Sequence, residues 1–259
     1  MQELRNIFKR ILAALMFFTR LPLWKMGVEV DGSYFERIVP LWPLAGWLTG
    51  GVMALVGWSA LGLGLSAAVA VVLALSARVL LTGGLHEDGW ADFCDGFGGG
   101  RTRGQTLDIM KDSHIGTYGT LGLILYYALL VSLLTMLLDR DLSVWLLVAG
   151  DAFSKMTAST IIWFLPYVRS QEEAKNRLTY SRVPMGEKFL TLLLGLLPLL
   201  LFCVKTNNWL LLGIATGVQA LAATGLFVLM HKRIGGYTGD CCGATFILLE
   251  TLFYLVCLV

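Results

Sequence analysis

About seven stretches of this chain stay apolar for close to the length a helix needs to cross a bilayer: residues 38–58, 60–82, 118–138, 142–166, 188–206, 208–230 and 243–259. A hydrocarbon core about 30 Å thick takes about 20 residues at the helical rise of about 1.5 Å each. Composition agrees, with 56% hydrophobic and 15% charged residues, against about 25% charged in a soluble domain. The expected fold class is therefore all-α: a polytopic integral membrane helix bundle of about seven transmembrane segments. The first two stretches are rich in glycine and alanine, which suits close helix packing and blurs their boundary. The last is near the lower limit of spanning length. With no Pro/Gly/Ser linker, no compositional shift and no internal repeat, residues 1–259 read as one membrane domain.

The N-terminus imitates a signal peptide, with Arg5, Lys9 and Arg10 before the apolar run Ile11 to Phe18. Thr19-Arg20-Leu21-Pro22 follows where small residues would suit cleavage, so the segment is expected to be retained. It is too short to span. Ile7, Phe8, Ile11, Leu12 and Leu15 follow helical spacing beside two cations, which fits a helix lying in the membrane interface.

Basic residues orient the spans. With a cytoplasmic N-terminus, that side takes Arg5 to Arg37, the loop cations Arg101, Arg103 and Lys111, the run Arg169, Lys175, Arg177, Arg182 and Lys188, and finally Lys232 and Arg233. The opposite side receives only Arg140 and Lys205. The positive-inside rule then puts all the larger polar loops on the cytoplasmic side, and a multi-pass protein of the cytoplasmic (inner) membrane is expected. The net charge of +2 decides nothing by itself, and no nucleic-acid partner is expected. Five cysteines form no CxxC pair, so no disulfide framework is implied.

Against this background one stretch is anomalous. Residues 83–100 hold His86, Glu87, Asp88, Asp92 and Asp95 between glycines. Asp88, Asp92 and Asp95 are spaced i, i+4, i+7, which puts all three on one helix face. Like charges stacked in this way repel, and a cation would offset the cost. Carboxylate oxygens are the ligands that Mg²⁺ and Mn²⁺ prefer, and magnesium commonly joins one or two of them to substrate phosphates. Cys94 is a lone thiol among hard oxygens and gives no support to zinc. The flanking glycines, at 83–84 and within 96–100, are expected to let backbone approach a phosphate. Arg101, Arg103 and Lys111 supply cations where a diphosphate would sit, and Asp108 and Asp112 add carboxylates at i, i+4 spacing.

Charges also occur inside apolar segments, where they are functional candidates by default: Arg78, Asp151 with Lys155 at i+4, and Glu250, which needs a partner. A late glycine-rich turn, Gly235 to Ala244, carries Asp240, a candidate to close the metal site from the far end of the chain. The loop from Pro166 to Lys188 is amphiphilic and a candidate cover for a substrate.

The stretch Thr82-Gly83-Gly84-Leu85-His86-Glu87-Asp88-Gly89-Trp90-Ala91-Asp92-Phe93-Cys94-Asp95-Gly96 resembles the signature of the cobalamin synthase family, the adenosylcobinamide-GDP ribazoletransferases. Further motifs similar to that family follow in order: Phe18 to Pro22, Asp108 to Gly119, and Gly235 to Ala244 with Glu250 beyond. The resemblance implies a Mg²⁺-dependent membrane enzyme that joins adenosylcobinamide-GDP to α-ribazole, or to α-ribazole 5′-phosphate, with release of GMP. Under it, Glu87, Asp88, Asp92 and Asp95 are the metal-ligand candidates, and Asp95 or Asp112 is the candidate base. Arg101, Arg103, Lys111, His86 and Asp240 are the candidate substrate contacts. Self-association into a homo-oligomer stays open. The D-G-x-x-x-D-x-x-D spacing is also loosely similar to the metal motif of CDP-alcohol phosphotransferases, without their Ala-Arg after the first Asp-Gly. A cation transporter with an intramembrane acid site is the alternative of a different class.

Overall fold

Glycine, proline and small capping residues cut the apolar chain into helices. The computed structural model describes residues 2–140, 144–169 and 180–259, and every regular element among them is helical. In chain order these are α1 (Gln2–Phe18), α2 (Gly32–Phe35), α3 (Trp42–Gly62), α4 (Ala67–Thr82), α5 (Leu85–Gly99) and α6 (Arg103–Ile109). Then come α7 (Thr117–Asp139), α8 (Trp145–Ser159), α9 (Ile161–Phe164), α10 (Met185–Thr206), α11 (Trp209–Ile234) and α12 (Gly239–Leu258). Side-chain oxygens of Ser66, Thr102 and Thr238 cap the N-termini of α4, α6 and α12 by accepting from backbone N–H groups in the first turn. Gly83 and Gly235 end α4 and α11 in the left-handed region, at φ 68° and 84°.

Among the described residues, five helical segments are long and apolar enough to cross a membrane: Val39–Gly62, Thr117–Asp139, Met185–Thr206, Trp209–Ile234 and Gly239–Leu258. This polytopic α-helical architecture is the expected class, but two of the expected spans take other forms. The 60–82 stretch becomes α4, and at Gly83-Gly84 the chain bends by 89° into α5. Counted as one broken span, that pair makes a sixth crossing. The 142–166 stretch becomes the 15-residue α8, buried from Leu146 through Ser159. It is too short to span and touches protein rather than lipid on all sides, packing against α3, α10, α11 and α12.

Small residues set these close approaches. A β-carbon at Gly46 of α3 would stand 2.7 Å from Ala152 Cα, and one at Gly50 would stand 2.7 Å from the Leu147 carbonyl oxygen, so α3 and α8 meet backbone to backbone. At that contact Thr49 Oγ1 donates to Asp151 Oδ2 at 2.6 Å, and Asp151 Oδ1 pairs with Lys155 one helical turn on. Arg78 of α4 reaches Glu250 of α12 at 2.5 Å and donates to the Tyr126 hydroxyl of α7 at 2.8 Å. Both intramembrane ion pairs are buried, so each charge has the partner it needs.

α1 has two characters. Leu4, Ile7 and Phe8 are exposed, as an interfacial helix requires, while Leu12, Ala13, Ala14 and Phe18 are buried in the bundle. Arg10 ties this helix to Glu187 of α10 at 2.8 Å. All five cysteines are free.

Candidate active site

The acidic stretch is helical over Leu85–Gly99, so Asp88, Asp92 and Asp95 do share one face. Sharing a face is not sharing a site, because seven residues of helical rise separate Asp88 from Asp95 by about 10 Å along the axis. The structure divides the three accordingly. Asp88 and Asp92 converge with Asp240 of α12, with one carboxylate oxygen from each lying within 4.8 Å of the others. Asp95 instead faces the start of α7, where its Oδ2 accepts from Gly116 N at 2.7 Å and its Oδ1 from Gly119 N at 2.9 Å. Both of its oxygens thus serve as an anionic cap on that helix terminus.

Glycines make the convergence physically available. A β-carbon at Gly89 would lie 3.0 Å from the Asp240 carbonyl oxygen, and one at Gly243 would lie 3.2 Å from the His86 carbonyl oxygen. Without side chains at these two positions, α5 and α12 touch through their backbones and Asp240 reaches its partners. Gly96, Gly98 and Gly99 belong to the helix itself and serve the same end. A β-carbon at Gly98 would meet the Tyr118 ring, and one at Gly96 would stand 3.0 Å from the Thr106 carbonyl oxygen. In the structure they are close-packed positions of a helix rather than of a loop.

Other candidates are placed differently. Glu87 is buried and accepts from the Tyr127 hydroxyl at 3.2 Å, away from the triad; its second oxygen is buried without a hydrogen-bond partner among the described residues. His86 is buried between aromatic rings, near-parallel to Phe18 at 5.8 Å and tilted to Phe246 at 4.5 Å. Arg101, Arg103 and Lys111 are exposed on α6 and its flanks. Asp112 is exposed and accepts from His114, from the backbone at 3.0 Å and from Nδ1 at 2.7 Å, which holds its carboxyl below the usual carboxylate range. Lys175 and Arg177, with the centre of the 166–188 loop, lie outside the described residues.

A cation not singled out in the sequence takes the place beside the triad. The Arg169 guanidinium stands 3.7 Å from Asp240 Oδ2 and is buried. The strand-like pairing of Tyr167 with Tyr237 fixes it there: Val168 N donates to Tyr237 O at 3.1 Å, and Tyr237 N donates to Pro166 O at 2.9 Å. The sequence signal was available in Gly236, where a β-carbon would meet Val168, but only once residues 166–169 are known to lie there.

The triad opens onto a cavity of about 160 Å³. Asp88 and Asp240 line it on one side; Phe17, Phe18, Trp42, His86, Tyr180 and Phe246 supply aromatic walls, and Lys155 and Arg169 supply charge. Burial pushes the Tyr180 phenol above its ordinary value, so it stays a neutral hydroxyl at physiological pH. Three hard oxygens converging at one point suit a divalent ion such as Mg²⁺ or Mn²⁺. The nearby thiols do not compete: Cys241 bonds the Thr238 hydroxyl, and Cys242 donates to the Thr238 carbonyl.

Comparisons with known proteins agree with this arrangement of motifs. The family model described as cobalamin-5-phosphate synthase matches residues 10–258. An adenosylcobinamide-GDP ribazoletransferase of Shewanella woodyi is 38% identical over 260 residues, covering 100% of this chain and 98% of the relative. The enzyme of the same name from Shewanella piezotolerans is 37% identical over 261 residues, with 100% and 98% covered. That of Shewanella baltica strain OS185 is 38% identical over 250 residues, with 96% and 93% covered. No solved structure gives a significant match. A match that runs through every motif, from the Phe18 turn to the last helix, means that this chain belongs to the cobalamin-5-phosphate synthase family.

Proposed function

We propose that this protein transfers the phosphocobinamide part of adenosylcobinamide-GDP to the ribose hydroxyl of α-ribazole or its 5′-phosphate, with release of GMP, in the cytoplasmic membrane and with its active site on the cytoplasmic side. The observation that carries the reading is the convergence of Asp88, Asp92 and Asp240 on a point shared by two helices distant in sequence. Full-length similarity to ribazoletransferases supports the reaction class. The basic residues around the same helix ends support the orientation.

In this reading Asp88, Asp92 and Asp240 hold Mg²⁺. The ion, when bound, neutralises diphosphate oxygens and stabilises the departing GMP. Arg169, fixed beside Asp240, places a guanidinium fork toward the same phosphates, a geometry that Arg supplies better than Lys. Arg101, Arg103 and Lys111 draw the polyanionic donor to this face without being buried in the site. The attacking hydroxyl gives up its proton to a carboxylate at the triad. Asp95, with both oxygens committed to α7, and Asp112, bonded to His114, are less suited to that task than a carboxylate of the triad. Backbone contact between α5 and α12 fixes the carboxylates in advance, so little reorganisation is needed on binding.

The test is release of GMP from adenosylcobinamide-GDP by the purified protein in detergent, with and without α-ribazole, Mg²⁺ and chelator. Release that needs both the acceptor and the metal supports the reading. Consumption of a CDP-linked substrate instead, or cation flux in proteoliposomes without turnover, overturns it.

A further inference from the structure

We infer that a second cavity, between the turn before α3 and the start of α10, holds the phosphate of an anionic phospholipid at the membrane surface. It shares no lining residue with the cavity beside the triad. Its level in the bundle argues first. The cavity measures about 250 Å³ and is lined by Val39 and Pro40, where one membrane span begins, and by Pro184 and Glu187, at the start of another. A space between the first turns of two spans lies where hydrocarbon gives way to headgroups. From there α10 exposes Met185, Phe189, Leu192 and Leu193 at helical spacing, an apolar face along which acyl chains can lie.

Charge argues second. Arg37 and Arg182 line the cavity and are exposed, and neither guanidinium has an ion-pair partner among the described residues. Two acids line it as well. Glu187 is taken by Arg10, whose terminal nitrogens donate to its two carboxylate oxygens at 2.8 and 3.1 Å. That pair cancels and leaves two guanidiniums against Glu36, which accepts from the Ser181 hydroxyl at 3.4 Å. The excess is one positive charge, the match for a phosphodiester with a single negative charge. The planar fork of arginine presents paired N–H donors to phosphate oxygens, and basic residues at the ends of spans attract anionic lipid. A zwitterionic headgroup brings a cation of its own and leaves the excess in place.

The frame argues third. Arg10 Nη2 donates to the Arg37 carbonyl oxygen at 2.8 Å, and Ser181 N donates to the Glu36 carbonyl oxygen at 2.9 Å. These bonds hold α1, residues 36–40 and residues 181–187 together before any lipid arrives, which lowers the cost of binding. A lipid seated there binds only the assembled frame, so its affinity adds to the stability of the folded protein.

The experiment follows the thermal midpoint of the full-length protein in detergent, titrated in turn with phosphatidylglycerol, phosphatidylcholine and the water-soluble glycerol 3-phosphate. Phosphatidylglycerol is expected to raise the midpoint saturably, with half-saturation at a concentration about tenfold lower than for phosphatidylcholine. Arg37→Gln and Arg182→Gln are each expected to weaken that response about tenfold, and Arg37→Lys and Arg182→Lys to keep part of it. Arg5→Gln, exposed on α1 and outside the cavity, controls for general attraction to basic surface and is expected to change nothing. An equal response to phosphatidylcholine, or a response that survives both glutamine substitutions together, overturns the inference. A response to glycerol 3-phosphate assigns the cavity to a soluble phosphate and overturns it too, as does the lack of a saturable response to any of the three. No readout here needs turnover, so the result is decided even if the transfer reaction fails.

Discussion

Gly89 of α5 lies directly against the backbone of Asp240 in α12, so close that a β-carbon there would stand 3.0 Å from the Asp240 carbonyl oxygen and 3.2 Å from its α-carbon. This contact joins two helices 151 positions apart in the chain and brings the third carboxylate to Asp88 and Asp92. Gly89→Ala inserts a methyl where backbone stands, and overpacking of this kind costs about 1–3 kcal/mol. The expected result is a folded protein with Mg²⁺ half-saturation of the transfer reaction raised at least about tenfold. Unchanged metal dependence in a folded Gly89→Ala protein would show that the contact does not set the triad.

The triad and Asp95 are expected to respond in different ways. Asp88→Asn, Asp92→Asn and Asp240→Asn each remove a charged ligand, and GMP release is expected to fall by about a hundredfold or more with little change in thermal midpoint. Asp95→Asn leaves an amide where a carboxylate accepted from Gly116 N and Gly119 N. Hydrogen bonds to charged groups contribute about 1.5–3 kcal/mol. The thermal midpoint is therefore expected to drop, while the metal dependence of the remaining activity stays as in the unaltered protein.

Arg78 and Glu250 form a buried ion pair at 2.5 Å inside the bundle. Removing one partner strands the other, at a cost of about 3–5 kcal/mol. Glu250→Leu and Arg78→Met are each expected to destabilise strongly, and the double variant is expected to recover most of the loss. Thermal unfolding of the four proteins in one detergent measures this cycle. Simple addition of the two losses would show that the pair is not coupled.

Asp112 holds the turn before α7 through its bonds to His114, and those bonds lower its carboxyl below the ordinary value of 3.8. A depressed acid stabilises at every pH above its unfolded value and loses that effect as pH falls through the lower folded value. The Asp112 carboxylate is thus expected to keep its hold on the turn as pH falls to about 4 and to lose it only below that. The Asp112 side-chain carboxyl ¹³C shift, followed by NMR against pH, reports it; a midpoint above the ordinary value of 3.8 would contradict the assignment.

The sequence by itself determined the helical membrane class, the pattern of long apolar segments and most of the residues from which the candidate metal site is drawn. These follow from local quantities: hydropathy over 20 or so residues, helical spacing, and glycine or a polar cap at a terminus. It also carried the family motifs, from Phe18 to Glu250. Tertiary structure decided which carboxylates meet. Spacing alone groups Asp95 with Asp88 and Asp92, since a helical face has no memory of axial distance, and only the approach of α12 through Gly89 and Gly243 replaces it with Asp240. The same holds for Arg78 and Glu250, each an unexplained charge in sequence and an ion pair in space, and for Arg169, placed by the pairing of Tyr167 with Tyr237. α8 makes the limit plain: its hydropathy reads as a span, and what surrounds it in the bundle is protein. Hydropathy measures the removal of a segment from water, and lipid and protein interior satisfy that requirement equally well.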